Sequence, residues 1–219
     1  MNVTGTVNGE RVLLKERAYE ALKELILNET FPAGTFLSER QLTARLGMSK
    51  TPIRSALERL EAEGFVTVSP QQGILVREFS LQEVVDLFDI RIALETFVVG
   101  HIAGKIPPAQ RAQLEGNLEA QAKATEGGDV NTSTRLDFEF HLILCEALGN
   151  REIVRTMLGL GDRLYRVIHR ISSRVPGRLQ ASYQDHLAIA QAVLSGDAAG
   201  AVRRVREHLE YGKSYLIQR

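Results

Sequence analysis

The chain of 219 residues is poor in the features that would place it outside ordinary cytoplasmic globular proteins. It has one cysteine, Cys145, so no intramolecular disulfide framework is open to it. No apolar run approaches the length of a membrane span and no signal-peptide core is present, so the cytoplasm is the expected compartment and no membrane partner is expected. There is no internal repeat and no low-complexity segment. There is also no net charge, with 27 Lys and Arg against 27 Asp and Glu. Spread evenly, that balance would argue against a nucleic-acid partner. It is uneven: residues 40–57 hold Arg40, Arg45, Lys50 and Arg54 and no acidic residue.

That cationic stretch lies within a pattern of two short helices and a tight turn. Ser38 can cap the first helix, with Gln41 as reciprocal partner in a capping box. Leu42 and Leu46 fall on one face, and Gly47 supplies the left-handed residue that ends it. Ser49 caps the next helix, Pro52 falls in its first turn, and Ile53, Leu57 and Leu60 form its apolar stripe before Gly64. A helix-turn-helix with a cationic second helix fits the DNA major groove. Residues 65–68 and 74–76 read as strands around a turn at 70–73, which adds a wing. Upstream, residues 13–27 read as an amphipathic helix with Ala18, Leu22, Leu25 and Ile26 on its apolar side.

Residues 31–64 resemble the GntR family of bacterial transcription regulators. The shared pattern is F-P-x-G-x-x-L-S-E-R-x-L-x-x-x-L-G-x-S-(R/K)-T-P-(I/V)-R-x-A-L-x-x-L-E-x-x-G. The resemblance implies a homodimer on a short inverted repeat of double-stranded DNA, with the second helix in the major groove and the wing tip near the minor groove. Carried over residue by residue, Arg40, Lys50 and Arg54 match base-reading positions. Ser49 and Thr51 match phosphate contacts, and Gly73 matches the wing glycine. Lys50 stands where arginine is commoner, so a point charge replaces bidentate guanine reading. Gln71 and Gln72 stand where basic residues are common in the wing. Both departures lower the expected affinity without changing the function.

From Ser80 onward the pattern is helical. Ser80 and Glu83 form a second capping box, opening a helix to about Gly104. Pro107 and Pro108 open another, ended by Gly127 and Gly128. Asp129 caps a third that runs to Leu148, a fourth covers about 151–173, a fifth ends at Ser195 and Gly196, and a sixth follows Asp197. Short connections predict an antiparallel bundle of about 140 residues with its own core. The expected fold is mainly α: a winged helix-turn-helix over residues 10–78 and an all-helical bundle over 79–219, joined by a short segment that would couple them mechanically.

Asp137 and His141 are four apart on the third bundle helix and share a face, while His186 lies on the fifth and His208 on the sixth. Three imidazoles and a carboxylate converging from three helices suit Zn²⁺, Ni²⁺, Mn²⁺ or Fe²⁺, with positions open to water or ligand. By spacing alone, Asp-x-x-x-His on a helix is more often a local side-chain pair than a pair of ligands. Residues 80–219 also resemble the all-helical effector domain (FCD domain) of the fatty-acid-regulator branch of the GntR family. Its metal-binding members carry D-x-x-(F/L)-H, (E/D)-H and a final H-L. Here the matching residues are Asp137 to His141, Asp185-His186 and His208-Leu209. The resemblance implies Asp137, His141, His186 and His208 as ligands of a divalent metal, zinc or nickel first and manganese or iron next. It also implies the six-helix, metabolite-responsive type. Arg91 begins an R-x-x-L-E match ending at Glu95, and the resemblance turns it toward the cavity, where it can pair with a small organic acid. The plain alternative is a surface Arg91–Glu95 pair.

Cys145 reads as a small buried hydrophobe, and Arg163, Arg166, Arg170, Arg174 and Arg178 read as a solvated stripe. His101 and His169 stand in no motif. A metal-dependent hydrolase would leave the winged domain without a role, and no second base or transition-state stabiliser is recognisable near the metal. The expected function is therefore a metabolite-responsive DNA-binding regulator, a repressor by the family's commoner logic, and not an enzyme. A pure metal-ion sensor is the alternative.

Overall fold

The structure is a computed structural model and describes residues 4–217, with side chains over 13–215. It divides into two compact units, Met1–Phe79 and Ser80–Arg219.

In the first unit, helix α1 (Thr4–Leu27) packs on α3 (Lys50–Ala62), with α2 (Glu39–Leu46) beside α3. The Ser38–Gln41 capping box forms in full, with the Gln41 N–H donating to Ser38 Oγ and the Ser38 N–H donating to Gln41 Oε1. Gly47 is left-handed at φ 63°, which turns the chain sharply into α3. Ser49 occupies the N-cap position of α3, but its side chain makes no capping hydrogen bond, unlike the expectation from sequence. Ala18, Tyr19, Leu22 and Ile26 of α1 meet Ile53, Leu57 and Leu60 of α3 in the core.

The wing is a three-stranded antiparallel sheet in the order β1–β3–β2, formed by β1 (Phe36–Leu37), β2 (Val66–Ser69) and β3 (Gly73–Val76). Val66 pairs with Val76 and Ser69 with Gly73, while Phe36 pairs with Leu75. The two-residue β1 is too short to show an alternation, which is why only the hairpin was readable from the pattern.

The second unit holds α4 (Leu81–Ile102), α5 (Pro108–Glu126), α6 (Val130–Leu148), α7 (Arg151–Arg174), α8 (Arg178–Ser195) and α9 (Ala198–Ile217). Their starts are fixed locally: the Ser80–Glu83 box caps α4, Asp129 accepts from the Thr132 N–H, and Asn150 accepts from Glu152 and Ile153. α4 lies along α9, α5 along α6, α6 along α7 and α8 along α9. Val98, Val99, Leu114, Phe140, Leu144, Leu164, Ile189 and Val205 fill the interior. Among the described residues no helix is long and apolar enough to cross a membrane.

Gly73 opens β3 at φ 92°, and a Cβ there would lie 2.7 Å from the Leu37 carbonyl oxygen. Gly73→Ala should therefore cost about 1–3 kcal/mol of wing stability, seen as a lower urea midpoint for the first unit. An unchanged midpoint would show that β1 moves aside at no cost.

Candidate functional site

Arg40, Ser49, Lys50, Thr51 and Arg54 are all exposed on the helix-turn-helix, and Gly73 is half-buried in the wing. Arg54 is not idle: its Nε donates to Glu39 Oε1 at 2.7 Å and its Nη2 to Glu39 Oε2 at 3.0 Å. That two-pronged hydrogen bond holds the Glu39 carboxyl below its usual range. Glu39 occupies the fork that a guanine edge would need, and it lies one residue outside the acid-free stretch noted in the sequence.

In the helical unit, α6, α8 and α9 bring Asp137, His141, His186 and His208 together. One ligating atom from each lies within 4.8 Å of all the others, and all four residues are buried. Donors held at about 2.0–2.2 Å from a common ion stand at most about 4.4 Å apart, so the set closes on an ion by contracting. Asp137 Oδ2, His141 Nε2 and His186 Nε2 are buried without a hydrogen-bond partner. Orphaned lone pairs in a dry interior are costly, and a shared cation would satisfy them together. The residues present thus fit a divalent metal.

Each imidazole is held from behind. His186 Nδ1 lies 2.8 Å from Gln121 Oε1, whose amide NH₂ donates to Asn117 Oδ1, so the His186 proton sits on Nδ1 and Nε2 faces the cluster. His208 Nδ1 lies 3.0 Å from Asp185 Oδ2. His141 Nδ1 lies 2.5 Å from Glu95 Oε2, close but not aligned as a standard hydrogen bond; two lone pairs could not approach so near, so a proton lies between them. The Phe140 ring stacks on His186 at 4.2 Å. Burial pushes the His186 imidazolium well below its usual range, with the positive charges of His208, His141 and Arg91 adding to it. Burial lowers His208 as well, against the opposing pull of Asp185. Neutral rings are the form that binds metal.

Arg91 and Glu95 do pair, at 2.7 Å, but both side chains are buried at 2% exposure, not on the surface. Burial alone would raise the Glu95 carboxyl, yet Arg91 and His141 outweigh it and hold it at about 2. Arg91 Nη2 remains without a partner. It lines a cavity of about 20 Å³ together with Asp137, Arg178, Ser182 and His208. Cys145 is fully buried and burial pushes its thiol up, which suits an inert core residue.

The arginine stripe departs from expectation. Arg166 and Arg178 are buried at 4% and 8% exposure, and Arg178 belongs to α8, not α7. His169 is also buried, with its Nε2 2.9 Å from Asn131 Oδ1. Sequence reasoning missed Gln121, because no motif ties it to a histidine 65 residues away.

A winged helix-turn-helix followed by an all-helical unit is the arrangement of a DNA-binding regulator. The family models agree: that of the bacterial regulatory proteins, gntR family, matches residues 14–76, and that of the FCD domain matches residues 86–211. The chain belongs to the GntR family of transcription regulators and carries an FCD domain; it is not an enzyme. It is 26% identical over 201 residues to the uncharacterized HTH-type transcriptional regulator YdhC of Bacillus subtilis, covering 90% of this chain and 88% of that one. It is 27% identical to the putative L-lactate dehydrogenase operon regulatory protein of Escherichia coli, over 90% and 84%. It is 28% identical to the probable D-xylose utilization operon transcriptional repressor of Paenarthrobacter nicotinovorans, over 81% and 77%. Among solved structures, E. coli McbR/YncC shares the fold with a TM-score of 0.74 at 24% identity, covering 94% of this chain and 97% of that one.

Arg91→Met should leave Glu95 buried with half its compensation gone and cost about 3–5 kcal/mol in unfolding of the helical unit. A loss below about 1 kcal/mol would mean that solvent reaches the carboxylate readily.

Proposed function

We propose that this protein is a homodimeric regulator, binding a short inverted repeat, whose operator affinity is set by a small carboxylate bound at a divalent metal in the helical unit. The observation that carries the reading is the convergence of four ligating atoms within 4.8 Å, beside a buried arginine nitrogen that has no partner. Three nitrogens and one oxygen favour zinc or nickel, with manganese or iron as the poorer fits. When bound, the metal would supply a Lewis-acidic site for one carboxylate oxygen. Arg91 would supply a charge-assisted donor, while Gln121, Asp185 and Glu95 keep the three rings in the ligating tautomer.

Arg40, Lys50 and Arg54 would read bases, with Ser49 and Thr51 on phosphates and Gly73 at the wing tip. Arg54 would exchange Glu39 for a base edge on binding. Effector and operator affinities would then be linked reciprocally, by about 1–3 kcal/mol. Repression accords with the relative named as a probable operon repressor. The small volume of the cavity beside the cluster, about 20 Å³, favours a second reading, in which the metal alone is the signal.

Equilibrium dialysis should find one divalent ion per chain. His186→Ala should abolish uptake and leave operator binding, whereas Arg54→Ala should lose operator binding and keep the metal. Metal uptake undiminished in His186→Ala would remove the cluster from the reading. Operator release on chelation, with no acid present, would select the metal-sensor alternative.

A further inference from the structure

The cavity of about 20 Å³ beside the cluster has the volume of a single water, so no organic acid fits it as it stands. On its outer side lies an open groove of about 320 Å³ between α8 and α9, lined by Arg178, Asp185, Arg204, Glu207, His208 and Tyr211. Two side chains, Arg178 and His208, line both spaces and form the wall between them. His208 is held by its hydrogen bond to Asp185. Arg178 is held much less firmly. Its guanidinium rests over the Tyr211 ring at 4.5 Å and stands 3.8 Å from Asp185 Oδ2, an oxygen that His208 already occupies. No hydrogen bond engages its fork among the described residues.

The Arg178 side chain is 8% exposed, and the open groove gives its uncommitted donors access to solvent. It is also the part of the wall that can swing toward the groove without breaking a hydrogen bond. Moving it would merge cavity and groove while keeping the guanidinium at the mouth. Arg91 offers an unmet donor, Nη2, on the inner wall. One unmet donor of Arg91 and the uncommitted fork of Arg178 thus face one space, and each is a place for a carboxylate.

We propose that Arg178 is the movable gate of this site and its second anion-binding residue, and that the ligand is a small dicarboxylate, one carboxylate held inside near Arg91 and the other at the mouth by Arg178. The proposal rests on the carboxylate reading above and sharpens it: monocarboxylates would leave Arg178 unfilled. Capture of Arg178 would also withdraw its claim on Asp185, leaving that carboxylate to His208 alone. The effector would thereby reach a ligand of the cluster through side chains of α8 and α9.

The test is calorimetry on the full chain loaded with Zn²⁺, using acids matched in carbon chain: succinate against butyrate, and malate against 3-hydroxybutyrate. At least one diacid should bind about tenfold or more tighter than its monoacid partner. Arg178→Gln should erase that preference with zinc content as in the wild type, and Arg178→Lys should restore only part of it. Equal affinity for diacid and monoacid in the wild type, or a preference that survives Arg178→Gln, overturns the dicarboxylate assignment alone. Zinc-loaded protein that binds none of the four acids contradicts this inference and the carboxylate reading together. Failure to take up zinc at all contradicts the metal site itself.

Discussion

Glu95 is a carboxylate inside a helical bundle, and it can remain charged there only because Arg91 and His141 close on it from two sides. That contact ties α4 to α6 and fixes which nitrogen of His141 carries a proton. The same device recurs at His186 through Gln121 and at His208 through Asp185. Three acceptors on three different helices thus aim three lone pairs at one point, where Asp137 adds an oxygen. A buried cluster whose rings are each oriented from behind fits a divalent cation, which would satisfy its remaining lone pairs together.

The fold supplies this geometry by simple means. Caps at Ser80, Asp129 and Asn150 set where α4, α6 and α7 begin, and hence which turn of each helix faces the bundle axis. Phe140, one residue before His141, turns its ring onto His186 and fixes the plane of that imidazole. In the first unit the same economy holds. Gly47 makes the turn, the α1–α3 core buries the apolar stripe of α3, and the opposite side of α3 is left exposed with Lys50, Thr51 and Arg54.

Much of this was legible in the sequence, for physical reasons that differ by element. Helix ends were readable because caps are local: the Ser38–Gln41 and Ser80–Glu83 boxes lie within four residues. The convergence of Asp137, His141, His186 and His208 was readable only in part, since Asp137 and His141 share a face by spacing, while His186 and His208 needed the family resemblance to join them. Burial of Arg178 was not readable. Its spacing continues the α7 stripe across the Pro176–Gly177 break, but the break rotates it onto a new helix and into the interior. Gln121 and Glu39 were missed because their partners are distant in sequence, and nothing in a lone glutamine or glutamate announces them. Ser49 has the right residue type and position for a cap, yet no hydrogen bond follows.

The most direct test of the account is a long-range ¹H–¹⁵N correlation spectrum of the histidine rings in metal-free protein, repeated after zinc is added. The account predicts a proton on Nδ1 of His141, His186 and His208 before any metal is present, and a large shift confined to their Nε2 signals afterward. Nε2-protonated rings in the metal-free protein, or Nε2 signals that ignore zinc, would contradict it.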